Sequence, residues 1–241
     1  MASNLVSTLQ SNLNRVRERI DTACARAGRT RDEVTLVAVT KYAELDWVRA
    51  LIDLGVLDLG ESRPQQLVSR AHDLPKEVRW HMIGHLQRNK VDLLLPVANR
   101  LHSVDSVRLL QAIDKEAKKQ QSNITATPRV LLEVNVSGEK SKDGFDPTDL
   151  MASWADICQL DSIAIEGLMT MAPLSEDDDS ARAVFRSLRL LRDQLVDACG
   201  GHLKLPDLSM GMSGDFEIGI EEGATLVRVG SSLFEGLPSN H

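Results

Sequence analysis

Short apolar segments alternate with helical segments along the whole chain, and this alternation limits the possible folds more than any other feature. The first apolar run, residues 34–39, is β-branched and too short for a helix, which is typical of a strand covered on both faces. Further strands are predicted near 56–59, 79–83, 100–104, 129–136, 163–171, 205–210 and 225–230. Helices are predicted near 44–54, 63–72, 86–95, 106–120, 147–159, 177–198 and 215–222. This order predicts parallel strands joined by helical crossovers.

The uniform repeat favours a closed barrel over an open sheet. Eight strands joined by seven helical segments suit a chain of 241 residues, because (β/α)8 barrels commonly contain about 250 residues. An open doubly wound sheet has a similar element order, but the GxGxxG turn that often accompanies it is absent. We therefore predict a single α/β domain over residues 1–241, a (β/α)8 TIM-type barrel. An extra N-terminal helix, apolar on one face from Leu5 to Cys24, is expected to cover the wall that an eighth helix normally covers.

Charge and composition exclude several classes of partner. The formal net charge is -7, so no basic surface is expected to attract the phosphates of a nucleic acid. The three cysteines show no CxxC spacing, which favours a reducing compartment. We find neither a signal peptide nor an apolar run long enough to span a membrane. We expect a cytoplasmic protein that binds neither nucleic acid nor membrane and, lacking an obvious apolar association stripe, is a monomer.

Lys41 is the leading candidate for a reactive amine. In (β/α)8 barrels the working face is formed where the strands end, and the first strand ends in Thr40-Lys41-Tyr42. An amine at the barrel mouth is a candidate for Schiff-base formation if its neighbours desolvate it. The alternative is an ordinary surface lysine that follows a strand.

The loops after the seventh and eighth strands are rich in small residues. They contain Ser209-Met210-Gly211-Met212-Ser213-Gly214 and Gly230-Ser231-Ser232. Loops at these positions commonly form the phosphate site of the fold, and glycine allows backbone N–H groups to approach a phosphate closely. A phosphate site is therefore predicted, with two ordinary glycine turns as the alternative.

Arg228 and His81 are expected to point into the barrel. Arg228 lies two residues before Gly230, so both share one face of the strand. An inward guanidinium needs an acceptor, either a ring nitrogen of a bound cofactor or a carboxylate such as Glu133. His81 and His85 have the spacing of a metal pair only on a helix, and no acidic third ligand is nearby, so no metal site is predicted. The remaining candidates His72, His102 and His202 are expected to be surface or packing residues.

Several ordered segments resemble one known family. They are LVAVTK at 36–41, GESRPQQ at 60–66, WHMIGHLQRNK at 80–90, HSVDS at 102–106, VNVSGEKSKDG at 134–144, GLMTM at 167–171, LSMGMSGD at 208–215 and VRVGSSLF at 227–234. Nearly end to end, the chain resembles the YggS/PROSC family of pyridoxal-phosphate-binding homeostasis proteins, relatives of the alanine racemase barrel domain.

The resemblance implies pyridoxal 5'-phosphate (PLP) as a cofactor, bound covalently to Lys41 as a Schiff base. It implies that Arg228 is the partner of the pyridine nitrogen, and His81, as an inward strand residue, is expected to lie near the cofactor. It also implies a phosphate cradle of Ser209, Gly211, Met212, Ser213, Gly230 and Ser231. The family often has asparagine at the position of Ser62, facing the cofactor, so the shorter Ser62 is expected to lose this contact or to make it through water.

The implied function is PLP homeostasis without catalytic turnover, with apo forms of PLP-dependent enzymes as possible recipients. One alternative is an amino acid racemase that uses Lys41 as its sole base. The other is an aldolase, in which Lys41 attacks a sugar-phosphate carbonyl and the predicted phosphate site holds the substrate.

Overall fold

Eight parallel strands form a closed barrel in chain order, from β1 to β8. The computed structural model describes residues 2–122, 124, 126–139, 143–173 and 178–238. The strands are β1 Thr35–Val39, β2 Asp58–Glu61, β3 Arg79–Met82, β4 Ala98–Val104, β5 Arg129–Glu133, β6 Ala164–Met169, β7 Asp207–Ser209 and β8 Leu226–Val229. Strand β8 pairs with β1 and closes the barrel, with Arg228 opposite Val37. The predicted (β/α)8 barrel is confirmed.

Helices surround the barrel between successive strands. They are α1 Ala2–Arg26, α2 Leu45–Asp53, α3 Pro64–Asp73, α4 Val91–Leu94, α5 Val107–Lys119, α6 Pro147–Ile157, α7 Asp178–Ala198, α8 Phe216–Glu221 and α9 Ser231–Phe234. The long α1 packs against α8 and α9 and also contacts α2. Because α9 is only one turn long, α1 covers the wall after β8, as the sequence predicts. No helix in the described part of the chain is long and apolar enough to cross a membrane.

Some element boundaries differ from the sequence prediction. The helix expected over 86–95 is a short 3-10 turn, Arg88–Lys90, followed by the single turn of α4. Strand β2 continues through Gly60, where an added Cβ would lie 3.2 Å from Val37 Cγ1 and Ile83 Cδ1. This glycine makes room for neighbouring strands and does not end the strand. Residues 140–142 of the VNVSGEKSKDG segment, and residue 177 of a predicted helix, lie outside the described residues.

The barrel encloses both apolar and polar side chains. Most buried apolar side chains belong to one large cluster, whereas Val37, Leu131, Met169 and Leu226 form a separate cluster of their own. Because side chains alternate across a strand, Leu226 and Arg228 share one face of β8. The buried polar residues include His81, His102, Glu133, Ser209 and Arg228. Buried polar groups need hydrogen-bond partners, so their contacts indicate where the site lies.

Candidate functional site

The ends of β1, β7 and β8 bring together three of the regions that the sequence predicts for the site. A Cβ on Gly230 would lie 3.3 Å from Val39 Cβ, two residues before Lys41. The Gly230 N–H donates to Ser213 Oγ at 3.2 Å, which joins the loops after β8 and β7. The amine of Lys41 is therefore carried on a strand end that packs against the predicted phosphate loops.

Two glycines keep side chains out of these loops. Gly211 has a φ of +95°, and an added Cβ would lie 2.7 Å from Phe216 Cα, so a larger residue does not fit. The close approach of Gly230 to Val39 leaves little room for a side chain at that position as well. Backbone N–H groups that no side chain covers can approach the oxygens of a phosphate group closely. Ser231, the first residue of α9, is exposed.

The N–H of Met212 already has an acceptor within the protein. It donates to Asp215 Oδ1 at 2.6 Å, one residue before α8 begins. Burial raises the pKa of Asp215, while the hydrogen bond from Met212 lowers it and only partly offsets the burial effect. A phosphate that used the Met212 N–H would therefore compete with this carboxyl group.

The backbone on both sides of Lys41 is held by a buried cluster that we call the outer clamp, consisting of Thr40, Glu61 and Arg70. Arg70 donates to the carbonyl oxygens of Thr40 at 2.8 Å and Ala43 at 2.5 Å, and it forms an ion pair with Glu61. The Thr40 hydroxyl donates to Glu61 Oε1 at 2.5 Å. Burial raises the pKa of Glu61 against the opposing effects of Thr40 and Arg70.

The Lys41 side chain is exposed, so its neighbours do not desolvate the amine in the way that the sequence argument for a reactive lysine requires. Its Nζ lies 5.0 Å from the centroid of the Tyr42 ring. Its backbone carbonyl accepts a hydrogen bond from Gln66 Nε2 at 3.2 Å. The structure thus combines a fixed backbone with an accessible amine, which suits a group that must react with an incoming carbonyl.

Arg228 lies inside the barrel, where only 5% of its surface is exposed. Its Nη1 donates to Ser209 Oγ at 2.5 Å and its Nη2 donates to the Thr170 carbonyl oxygen at 3.0 Å. Burial lowers the pKa of Arg228 to about 10, opposed by the charges of Glu133 and Asp215. The guanidinium is therefore a cation at neutral pH. Within the described residues it makes no ion pair with Glu133, the carboxylate partner that the sequence suggested.

Two histidines, His102 and His81, continue this row of hydrogen bonds from Ser209 through the barrel interior. His102 Nδ1 lies 2.9 Å from Ser209 Oγ, and His102 Nε2 lies 2.9 Å from His81 Nδ1. The inward position expected for His81 is confirmed. His102 is not a simple packing residue, because both of its ring nitrogens have hydrogen-bond partners.

These contacts revise the expected role of Ser209. Its side chain is fully buried and its hydroxyl is engaged by both His102 and Arg228. The predicted place of Ser209 in the phosphate cradle therefore has no support from its side-chain geometry. The sequence could not show this, because the two partners are 107 and 19 residues away.

Glu133 ends β5 and is 6% exposed. Burial raises its pKa to about 7, with a further contribution from the charges of Asp105 and Asp143 and opposing effects of Arg228 and His85. A carboxyl group that titrates near neutral pH can exchange a proton under ordinary conditions.

Ser62 lies where β2 leads into α3. A Cβ on the neighbouring Gly84 would lie 2.4 Å from the Ser62 carbonyl oxygen, so this turn packs directly against the end of β3. The Ser62 hydroxyl makes no hydrogen bond to the rest of the described chain.

Comparisons with known proteins identify a family with the same barrel fold. Residues 9–238 match the family model of the alanine racemase N-terminal domain. An alanine racemase from Clostridium difficile superposes with a TM-score of 0.75 at 14% identity, covering 97% of this chain and 58% of that chain. The fold and the site therefore define a barrel of the alanine racemase N-terminal class.

Proteins with higher sequence identity to this chain identify a more specific family within this class. A pyridoxal phosphate homeostasis protein from Aquifex aeolicus is 41% identical over 92% of this chain and 95% of its own length. The structure of PipY from Synechococcus elongatus with PLP bound is 32% identical, with a TM-score of 0.78 over 91% of this chain and 99% of that chain. The chain belongs to the family of pyridoxal phosphate homeostasis proteins, as the sequence resemblance indicated.

Proposed function

We propose that this protein binds PLP as a Schiff base on Lys41 and acts in PLP homeostasis without catalytic turnover of its own. The observation that carries the proposal is the position of Lys41, which follows a strand end that packs against Gly230, whose N–H bonds to Ser213 of the other predicted phosphate loop. The name of the Aquifex aeolicus relative and the PLP-bound PipY structure support the choice of ligand.

The donor groups of the site fit the parts of PLP. Backbone groups of Gly211, Met212 and Gly230, with the hydroxyls of Ser213 and Ser231, are proposed to hold the phosphate. Arg228 is proposed to donate to the pyridine nitrogen, and Ser62 to contact the cofactor directly or through water. His81 is proposed to act near the cofactor through His102, because its own ring nitrogens are engaged.

The charge of Arg228 supports binding without turnover. PLP supplies an aldehyde that condenses with an amine and a ring that can withdraw electrons. The pKa of Arg228, about 10, keeps the guanidinium protonated at neutral pH. A donor of this kind leaves the pyridine nitrogen unprotonated, which makes the ring a weaker electron sink. Chemistry that needs a stabilised carbanion is therefore disfavoured.

The proposed physiological partners are PLP itself and apo forms of PLP-dependent enzymes that receive it. We further propose that residues 1–241 act as one cofactor-binding domain and that the protein is a monomer. Sedimentation velocity tests the last point, since a concentration-independent monomer peak is expected.

One observation favours a second candidate, a racemase-like activity on amino acids. Glu133 has a pKa near 7 and could serve as a second proton-transfer group besides Lys41. Incubation of the PLP-loaded protein with single L-amino acids, followed by chiral chromatography, separates the candidates. Sustained conversion that is abolished by both Lys41→Ala and Glu133→Gln would overturn the carrier proposal.

The test of the principal proposal is the visible absorbance of purified protein that has been incubated with PLP and desalted. We expect a yellow band in the wild type and in Lys204→Ala, an exposed control, but not in Lys41→Ala. A band that persists in Lys41→Ala would contradict covalent attachment at this residue. No band in any variant would contradict PLP binding and favour the aldolase.

A further inference from the structure

A continuous row of hydrogen bonds crosses the barrel from the beginning of β2 to β8. Asp58 Oδ1 lies 3.1 Å from His81 Nε2, and the row continues through His102 and Ser209 to Arg228. We call these five residues the inner chain. We propose that Asp58, His81 and His102 are positioning residues, which orient the Ser209 hydroxyl so that it fixes Arg228 for the cofactor. This inference rests on the proposed function.

Asp58 determines which atom donates and which accepts in each hydrogen bond of the inner chain. Burial opposes ionisation of this carboxyl group, but hydrogen bonds from Arg79 and His81 outweigh burial and lower its pKa to about 2. Arg79 donates to both carboxylate oxygens, at 2.8 and 2.5 Å. An ionised carboxylate can only accept hydrogen bonds. The proton in the bond to His81 must therefore reside on His81 Nε2.

The same reasoning assigns the hydrogens of both histidines. Burial lowers the pKa of His81, with the Asp58 charge opposing and the Arg100 and Arg79 charges adding to the effect. Neutral His81 with a proton on Nε2 has a bare Nδ1, which must accept from His102 Nε2. Burial, followed by the charges of His81, Arg228 and Arg100, also lowers the pKa of His102. Neutral His102 therefore has a bare Nδ1 that accepts from Ser209.

These assignments leave the Ser209 oxygen in one orientation. Its proton points to His102, so its lone pairs face Arg228 Nη1, which donates to it. The Thr170 carbonyl oxygen holds Nη2 of the same guanidinium. Two fixed contacts orient the planar group and leave its remaining N–H donors for a bound molecule. Without His102, the Ser209 hydroxyl would be free to turn and to compete with Arg228 as a donor.

The first arm of the test uses protein without PLP, so that it does not depend on the proposed function. Side-chain nitrogen NMR of ¹⁵N-histidine-labelled protein reports the protonation and tautomer of each ring. At neutral pH we expect His81 and His102 to be neutral with the proton on Nε2, with exposed His202 as a reference outside the inner chain. A proton on Nδ1 of either ring, or a cationic ring at neutral pH, would overturn the inferred direction of hydrogen-bond donation.

The second arm uses two matched serine variants to test whether the Ser209 hydroxyl positions Arg228 for PLP binding. Ser209 and Ser103 are both buried, but the Ser103 hydroxyl donates to the Gly84 carbonyl oxygen outside the inner chain. Ser209→Ala is expected to weaken PLP binding about tenfold, the effect of losing one hydrogen bond to a charged group. Ser103→Ala is expected to bind PLP with nearly wild-type affinity.

A third variant tests whether the histidine acts through Ser209. His102→Phe removes both ring nitrogens and keeps a flat side chain, and it is expected to reproduce the weakening seen for Ser209→Ala. The Arg228 guanidinium ¹⁵N–¹H signals of unloaded Ser209→Ala should also show faster hydrogen exchange than the wild type. Equal exchange rates, or equal PLP affinity of Ser209→Ala and Ser103→Ala, would overturn the positioning role. If wild-type protein binds no PLP, the proposed function fails while the exchange measurement still decides this inference.

Discussion

The outer clamp and the inner chain are both largely buried polar clusters, but they differ in what they hold. The outer clamp lies between β2 and α3 and directs a charged guanidinium at two backbone carbonyl oxygens around Lys41. The inner chain lies within the barrel and places two neutral histidines between charged ends. The clamp therefore determines where the Lys41 backbone lies, whereas the chain determines which atoms carry hydrogens at Ser209 and Arg228.

The difference has an energetic consequence. An unpaired charge in a buried site costs several kcal/mol, whereas a lost neutral hydrogen bond costs about 1 to 3 kcal/mol. Damage to the outer clamp should therefore appear mainly as lost stability. Damage to the inner chain should appear more strongly in cofactor binding.

The largest expected effect is that of Arg70→Ala. Glu61 is fully buried, so removing its ion-pair partner should destabilise the protein by about 3 to 5 kcal/mol. Urea unfolding followed by circular dichroism measures this loss. Arg49→Ala, which breaks an exposed pair with Asp46, should cost less than about 1 kcal/mol and serves as the control. Similar stability of the two variants would contradict the role of the clamp.

Glu133 belongs to neither cluster and makes no ion pair with another described residue, so it should show the pH dependence of a buried acid. Its pKa is raised from 4.5 to about 7, so the folded state binds more protons than the unfolded state between these values. The wild type should therefore lose about 3 kcal/mol of stability as the pH rises from 4.5 to 7. In Glu133→Gln this loss should disappear, as measured by urea unfolding across that range. Parallel pH profiles of wild type and variant would show that Glu133 is not the source.

Asp58, at the end of the inner chain, should behave in the opposite way. Its pKa is lowered from 3.8 to about 2, so its stabilising effect is complete above 3.8 and is lost as the pH falls towards 2. The shift corresponds to a loss of about 2 kcal/mol in the free energy of unfolding as the pH falls. This loss should be absent in Asp58→Asn. Asp46→Asn, at an exposed site, is the control. An unchanged acid limb in Asp58→Asn would show that the hydrogen bonds of Asp58 do not favour its ionised form.

The smallest expected effect concerns Ser213, which belongs to neither cluster. Its hydroxyl accepts from the N–H groups of Gly230 at 3.2 Å and Ser232 at 3.5 Å, and it is proposed to donate to the phosphate. Ser213→Ala should weaken PLP binding severalfold, as expected for about 1 kcal/mol, and change stability little. Fluorescence titration with PLP measures the affinity, with exposed Ser187→Ala as the control. Identical affinities would remove Ser213 from the proposed cradle.

The sequence predicts the parts of this arrangement that depend on local periodicity. Strand order follows from repeated apolar segments, and the inward position of Arg228 follows from two-residue alternation along β8. The position of Lys41 at the mouth follows from the end of β1. These features need only a few neighbouring residues to be recognised.

The two buried clusters could not be predicted in the same way. Arg70 lies on an ordinary amphipathic helix, and the carbonyl oxygens that it holds are 27 and 30 residues away. His102 has the alternation of a packed strand residue, and only the closed barrel brings it to Ser209. Hydrogen-bond direction depends on tautomers and burial, which no sequence pattern encodes.

Peptide mapping after borohydride reduction can show whether PLP is attached to Lys41. Reduction converts a Schiff base into a stable bond, so the modified lysine can be located by mass spectrometry after proteolysis. We expect a phosphopyridoxyl group on the peptide that contains Lys41 and on no other peptide in comparable yield. If another lysine is modified in preference to Lys41, or if no lysine is modified after incubation with excess PLP, then Lys41 is not the attachment site.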